Sequence, residues 1–411
     1  MTTSSGERLV WEEVTAMLLR RVIRWMVIVV IAVHGLLHLL GAVKGFGWAD
    51  VPALTADIGP WAALAWLTVA LLVLAVAVRL ARGTCPWWPP LLAAILSQAL
   101  IVSAWQDAAA GTAVNVLLLA VAVHAWARTG RRSLRADYAR HVEAALSPAR
   151  AQQVVTEGDL ADLPGPVARY LRRSGVVGHP AVVGFRASIR GRIRGGPGKP
   201  WMPFAGEQVN VYGTDPCRLF FMDATMMGLP VDVLHVFDCG TATMRVRLAS
   251  VAPIVKGAGP EMDRAETVTV LNDLCLLVPA ALVGAPISWE SRSDEVATAS
   301  FTLGQQTVAA DLGFAEDGRL VDFVSDDRLR SSPDGRTFTQ QRWSTPVRSE
   351  REWDGRRVCG VGEARWHAPD PEGTFTYLEF VVDEWSPIEG VAWASAVASP
   401  STRGLGSSAL G

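Results

Sequence analysis

The stretch VGFRASIRGRIR, residues 183–194, sets Val183, Phe185, Ala187, Ile189 and Ile193 in alternation with Arg186, Ser188, Arg190, Arg192 and Arg194. A period of two sustained over this length predicts a strand with one buried and one wet face. The glycine-rich GRIRGGPGKP (residues 191–200) then leads into Trp201 and predicts a hairpin loop, not a phosphate cradle.

Downstream, the same pattern recurs between Gly, Pro, Asp and Asn turns. Strands are expected at 205–212, 218–223, 231–237, 241–249, 296–303, 307–314, 320–324, 340–347, 358–366 and 375–382. Consecutive strands with short connections imply a large antiparallel sheet or barrel. One segment breaks the pattern. MDRAETVTVLNDLCLLVPAAL (residues 262–282) places Leu271, Leu274, Leu277 and Val278 on one helical face. A single apolar helix inserted in a meander is expected to pack on the concave side of the sheet. Residues 387–411 are rich in Ser, Gly and Ala, carry no pattern, and are expected to form a disordered tail.

Upstream the composition changes. Val22 to Val43, Trp61 to Leu80, Trp87 to Trp105 and Thr112 to Trp126 form four closely spaced apolar segments, the last being the weakest. About 20 apolar residues cross a bilayer, so a four-helix transmembrane bundle is expected. Three spans with a re-entrant piece is the alternative. Arg8, Arg20, Arg21 and Arg24 lie at the start of the first segment, and Arg79 and Arg82 follow the second. Arg128, Arg131, Arg132, Arg135 and Arg140 follow the fourth, whereas the loops on the other side hold Lys44, Asp50, Asp57 and Asp107. Basic residues collect on the cytoplasmic side, so both termini are expected in the cytoplasm of a bacterium, with the chain in its inner membrane. Glu7, Glu12 and Glu13 and the absence of a cleavage site argue for a retained helix, not a signal peptide.

The expected architecture is multi-domain. It comprises a cytoplasmic segment (1–21), a four-helix transmembrane domain (22–126), a helical linker (127–180), an α+β antiparallel half-barrel wrapped on an inserted helix (181–386), and the tail. A length of 411 residues suits more than one core. A net charge of −2 argues against nucleic acid as a partner. Cys85, Cys217, Cys239, Cys275 and Cys359 are scattered and odd in number, which fits free thiols in a reducing compartment.

Two groups of residues stand out as candidate sites. Trp201, Phe204, Phe221, Met222, Met226 and Met227, with Leu274 on the inserted helix, form an apolar and methionine-rich constellation suited to a varied hydrophobic ligand. An ordinary core beneath the inserted helix explains the same residues. Within the apolar segments, His34, His38, Gln98, Asn115 and His124 are polar and costly unless partnered. They suit interhelical hydrogen bonds. Haem held by His34 and His124, which lie at similar depth, is the alternative.

Catalytic and metal motifs are absent from the sequence. The carboxylate groups Asp322, Asp326 and Asp327 with Arg328, and Glu261, Asp263 and Glu266 with Arg264, would need to converge in a cleft to act. Arg342, Glu363, Arg365, His367 and Glu379 suit a charge ladder on a sheet face.

Certain segments resemble a family of uncharacterised bacterial membrane proteins. They are HGLLHLLGAVKGFG (34–47), SQALIVSAWQDAAAGTAVN (97–115), LPGPVARYLRRSGVVG (163–178), WMPFAGEQVNVY (201–212), FMDATMMGLPVDVLHVF (221–237), GPEMDRAETVTVLNDLCLLVPAAL (259–282), LVDFVSDDR (320–328) and QRWSTPV (341–347). This resemblance implies no activity. The soluble part also resembles, at the level of fold, the half-barrel of LolA/LolB-type lipoprotein carriers. The function expected is binding of a membrane lipid or other hydrophobic small molecule, without catalysis and without a cofactor. The alternatives are a redox or metal enzyme using the histidines and a regulatory protein that recruits a partner.

Overall fold

The computed structural model describes residues 5–146, 153–213, 215–332 and 335–390, with side chains from residue 18 onward. The first part is helical: α1 (Ser5–Gly45), α2 (Pro60–Ala81), α3 (Trp88–Ser103), α4 (Trp105–Ala108) and α5 (Gly111–Thr129). Three of these helices, α1, α2 and α5, are long and apolar enough to cross a membrane, while α3 is apolar and has only 16 residues. The segment expected over 112–126 is the least apolar of the three long helices, and with its flanks it runs to 19 residues as α5; α3 is shorter still, because Ala104, in a non-helical conformation, ends it.

Helix α1 packs on α2 and α5, and α3 packs on α2 and α5. Glycines let the backbones approach. A methyl group on Gly41 would lie 2.4 Å from the Trp66 ring, so no larger residue fits there without displacing it. Arg24 donates to the carbonyls of Leu80 and Ala81 at 2.7 and 2.8 Å. It thereby satisfies the open C-terminal acceptors of α2. At the opposite end, Asp107 accepts from the Thr55 and Ala56 amides at 2.6 and 2.9 Å.

Gly130 takes an extended conformation and ends α5. Ser133 then caps α6 (Leu134–Ala145) by accepting from the Ala136 amide. The short α7 (Gly165–Arg173) opens on proline and buries Val167, Tyr170 and Leu171.

The remainder is an antiparallel sheet of 14 strands. Strands β1 (Val182–Ile193), β2 (Met202–Val211), β3 (Cys217–Met226), β4 (Leu229–Asp238), β5 (Thr241–Leu248) and β6 (Ala252–Ala258) form a meander. Helix α8 (Pro260–Leu277) and a single turn at Pro279–Leu282 follow. The chain returns through β7 (Ile287–Ser291), β8 (Val296–Leu303), β9 (Gln306–Phe314) and β10 (Leu320–Ser325). A small hairpin of β11 (Leu329–Ser331) and β12 (Phe338–Gln340) stands apart from the main sheet. Strands β13 (Trp343–Ser344), β14 (Val347–Trp353), β15 (Arg356–His367) and β16 (Thr374–Glu389) complete it. β16 pairs with β1, joining the two halves. Register shifts in β1, β5 and β15 bend the sheet, and it curls around α8 as an antiparallel half-barrel.

Three sequence expectations change. Residues 340–347 form β13 and the approach to β14, not one strand, because Pro346 cannot donate to a ladder. Strands β6, β7 and β14 were not expected: APIVKGA in β6 contains proline and glycine, ISWES in β7 alternates but over only five residues, and VRSEREW in β14 is apolar only at its ends. Finally, β16 continues to Glu389, with Pro387 opposite Phe185, so the tail cannot begin at 387. Residues 391–411 lie outside the described residues.

The inner face of the sheet is filled. Fourteen of the 18 residues of α8 are buried. Leu274 is fully buried in the same cluster as Phe185, Phe204, Met222 and Phe301. Leu274→Ala is therefore expected to cost roughly 2–5 kcal/mol, whereas Met227→Ala at an exposed turn should change stability by no more than about 0.5 kcal/mol. Urea unfolding of both variants followed by tryptophan fluorescence checks this; equal losses would show that α8 does not fill the core.

Candidate functional site

The inner face carries a charged cluster within its apolar surroundings. On α8, Glu266 and Asp273 lie two turns apart on one side. Between them, Arg218 of β3 places Nε 2.7 Å from Asp273 Oδ2 and Nη1 3.3 Å from Glu266 Oε2. Strand β2 contributes a polar stripe at every second residue: Gln208, Asn210 and, just beyond its end, Tyr212. Gln208 and Asn210 donate to Asp273 at 2.6 and 3.2 Å, and Asn210 also donates to the Tyr212 hydroxyl at 3.0 Å. Arg328 reaches the other Glu266 oxygen at 3.2 Å, and His235 Nδ1 stands 3.8 Å from Glu266. Both ends of α8 are fastened. Asp263 accepts from the Ala242 amide, while Tyr170 and Trp385 donate to the Cys275 and Leu277 carbonyls.

Burial alone would raise the Glu266 carboxyl, but Arg328, His235 and Arg218 outweigh it and hold it well below the usual range. Arg218 is likewise opposed by burial and held up by Asp273 and Glu266. Burial pushes the Tyr212 hydroxyl well up. Asp322 of β10, beside Arg365 and Glu363, moves the other way: burial pushes it up from 3.8 to about 6.

The two carboxylate groups singled out in the sequence converge. Arg264 pairs with Asp327, and Arg328 pairs with Glu266. The convergence consists of ion pairs that fasten α8, and among the described residues no group of three or more His, Cys, Asp or Glu is placed to hold a metal. In the charge ladder, Arg348 and Arg365 both pair with Glu363, and Arg192 pairs with Glu379 at 2.9 Å. His367 meets the Ser344 hydroxyl at 2.9 Å, and Arg342 pairs with Asp326.

The apolar constellation is divided. Phe204, Met222 and Leu274 lie together in the core, with Met226 against it. Phe221 points to the opposite face of the sheet, packed on Tyr138 of α6 and covered by Arg135 at 4.5 Å. Neighbours on a strand face opposite ways, so Phe221 and Met222 cannot line one pocket. Trp201 sits under Arg192 and Arg194, each 4.4 Å from its ring. Met227 is 77% exposed at the tip of the β3–β4 hairpin. Beside the end of α8, a cavity lined in part by Val278, Ala280 and Trp385 measures ≈ 10 Å³, about one water. A shallow groove, open to its surroundings and lined by α1 alone, runs along the exposed face of that helix past Leu18, Arg21, Val22, Trp25, Met26, Val29 and Val30.

The polar candidates of the apolar helices are also divided. His34 and His38 both direct Nε2 at the Ser97 hydroxyl, at 3.0 and 2.8 Å. Gln98 donates to Thr112, and Asn115 donates to Gln98. His124 does not face His34; its Nδ1 lies 2.7 Å from the Ala249 carbonyl at the β5–β6 turn. His34 and His124 do not meet because the i, i+4 spacing turns the His34 and His38 rings toward α3, while the β5–β6 turn of the half-barrel engages His124.

That contact belongs to a junction between helices and sheet. Asp223 of β3 pairs with Arg128 at 2.6 Å and Arg20 at 3.5 Å. Arg20 also donates to Thr225, and Arg135 pairs with Glu207. Leu134 and Tyr138 of α6 pack on the outer face of β2–β4.

Apolar helices joined to an antiparallel half-barrel with a buried helix at its centre define the class of protein. Residues 153–380 match the family described as "Family of unknown function (DUF6544)", and the chain belongs to that family. No functionally curated protein matches the chain. Among solved structures, it is similar to a domain named for outer membrane lipoprotein sorting from Vibrio parahaemolyticus. That similarity has 9% identity and a TM-score of 0.31, covering 50% of this chain and 85% of that one. It is also similar to a DUF1329 family protein from Desulfovibrio piger, with 12% identity, a TM-score of 0.30 and coverage of 56% and 94%.

The sequence analysis missed Gln208, Asn210, Arg218, His235 and Asp273. The signal was present as three polar side chains at a spacing of two on a strand whose partners are apolar. Opposite pH dependences follow. Glu266, held below its usual 4.5, contributes stability that is present above that pH and lost as pH falls. Asp322 contributes stability that is present below 3.8 and lost as pH rises through about 6. Glu266→Gln should cost roughly 3–5 kcal/mol at pH 7 and flatten the acid limb of unfolding curves, whereas Asp322→Asn should remove the decline toward pH 6. An unchanged acid limb in Glu266→Gln would show that the cluster does not govern it.

Proposed function

We propose that the chain is an integral membrane protein whose four apolar helices span the bacterial cytoplasmic membrane, with both termini and the half-barrel on the cytoplasmic side. We infer further that it binds a membrane lipid or a molecule of similar hydrophobic chemistry. Helices α1, α2 and α5 support the first reading by length and composition, α3 supports it by composition alone, and the arginines support the orientation.

The observation that carries the binding reading is the groove along α1. Its apolar floor of Leu18, Val22, Met26, Val29 and Val30 suits an acyl chain, and Arg21 at one end suits an anionic headgroup. Binding there needs no rearrangement. Binding between sheet and α8, at Phe204, Met222 and Leu274, requires α8 to withdraw and to break the Arg218 cluster. The outer groove is therefore the preferred site.

Native mass spectrometry of the detergent-purified protein, with an absorbance spectrum of the same sample, tests the proposal. A discrete bound lipid is expected, with occupancy reduced about fivefold in Arg21→Glu, the loss of roughly 1 kcal/mol of headgroup attraction. A Soret band or stoichiometric metal would overturn it in favour of a redox site at His34 and His38, whose Nε2 atoms already share one hydroxyl. Protein with no lipid would overturn it in favour of partner recruitment.

A further inference from the structure

We propose that the β3–β4 and β5–β6 hairpin tips are seated in the anionic headgroup layer of the bilayer, making the half-barrel a membrane-surface domain and not a free one on a tether. The inference rests on the reading that α1 and α5 span the membrane, and it concerns the bilayer surface, not the lipid of the α1 groove.

The tips are placed by contacts with the ends of the spans. A methyl group on Gly228 would lie 2.5 Å from Ile23 and 3.2 Å from Leu19, so the β3–β4 tip lies directly on the first turns of the apolar part of α1. That part begins at Leu18. The β5–β6 tip presents the Ala249 carbonyl to His124, which precedes the end of α5 at Thr129 by about 7 Å of helix. The bilayer that covers the outward faces of α1 and α5 must therefore reach both tips.

The tips are apolar and uncovered by protein. Met227 and Leu229 are 77% and 42% exposed, and Val251 and Ile254 are 46% and 44% exposed. Ala252 and Pro253, between the latter two, are exposed as well. The backbone is bent to present them, with positive φ at Met227, Ala249 and Ser250, none of them glycine. β6 is also the free edge of the sheet, where an apolar run exposed to water invites aggregation. Contact with lipid covers it.

The charge pattern names the surface. Arg21, Arg79, Arg82 and Arg131 are exposed around the same ends of the helices. Each arginine near an anionic leaflet contributes about 1 kcal/mol of attraction. Apolar side chains set within a basic ring suit insertion among anionic phospholipid headgroups.

The test is photocrosslinking of the full chain in phosphatidylglycerol-containing proteoliposomes. p-Benzoylphenylalanine is placed in turn at Met227, at Ile254, at Val29 on the outward face of α1, and at Asp354 in the remote β14–β15 turn. The expected result is a mass gain of one phospholipid at Met227, Ile254 and Val29, and none at Asp354. Adducts at Val29 without any at Met227 or Ile254 would overturn the inference and leave the spanning helices standing. No adduct at Val29 would overturn the spanning reading and the inference with it. Adducts at Asp354 as abundant as those at Met227 would also overturn it.

Discussion

Two buried carboxylates of one helix, bridged by Arg218 and one of them held also by Arg328, are the constraint on which the half-barrel depends. Glu266 and Asp273 lie on the side of α8 that faces Arg218. Turning α8 by one residue would move both into the apolar wall and leave charges unpaired. Unpaired buried charge costs several kcal/mol, far more than any gain from repacking Leu271 or Leu274. A buried ion pair contributes little net stability compared with well-packed apolar residues. Its effect here is on register: only one seating of α8 satisfies both carboxylates, and the curled sheet closes around that seating.

Strand β3 transmits this register to the helices of the first part. Its inner face carries Arg218, Phe220 and Met222 toward α8, and its outer face carries Phe221 and Asp223 toward α6, Arg20 and Arg128. Alternation along one extended strand fixes both sets of contacts at once. β3 is therefore a central link between the helices and the half-barrel, with Asp223 bridging Arg20 of α1 and Arg128 near the end of α5 and reducing their mutual repulsion. This arrangement also explains why His124 is withdrawn from His34 and His38, since the turn after β5 is held against α5.

Much of this fold was legible because its periods are unambiguous. The alternation of residues 183–194 and the apolar face of Leu271, Leu274 and Leu277 placed β1 and α8 within a few residues. What could not be read were elements whose pattern is set by tertiary context. β6 is an edge strand with exposed residues on both faces, and β14 pairs only with β15, so neither needs an apolar stripe. The candidate site was read by composition, which counts methionines and aromatics without regard to face. That is why Phe221 and Trp201 were grouped with Met222 although the sheet separates them. Gln208, Asn210 and Tyr212 were overlooked because polar residues on a strand suggest water, and only the position of Asp273 shows that this stripe faces inward.

The same contacts bear on where chemistry can take place in this chain. The concave face, which an open half-barrel would offer to a ligand, is occupied by α8, and α8 is fastened at both ends and in the middle. Asp263 and Arg264 hold its start, Arg218 its centre, and Tyr170 and Trp385 its final carbonyls. Withdrawing the helix breaks all of these together, and each buried partner left unsatisfied adds about 1–3 kcal/mol to the cost. No single step loosens it. The exposed apolar surface of the described residues lies instead mainly on α1, α2, α3 and α5 and on the two hairpin tips beside α1 and α5. A molecule with acyl chains meets the lowest barrier there, at the line where sheet, arginines and apolar helix come together.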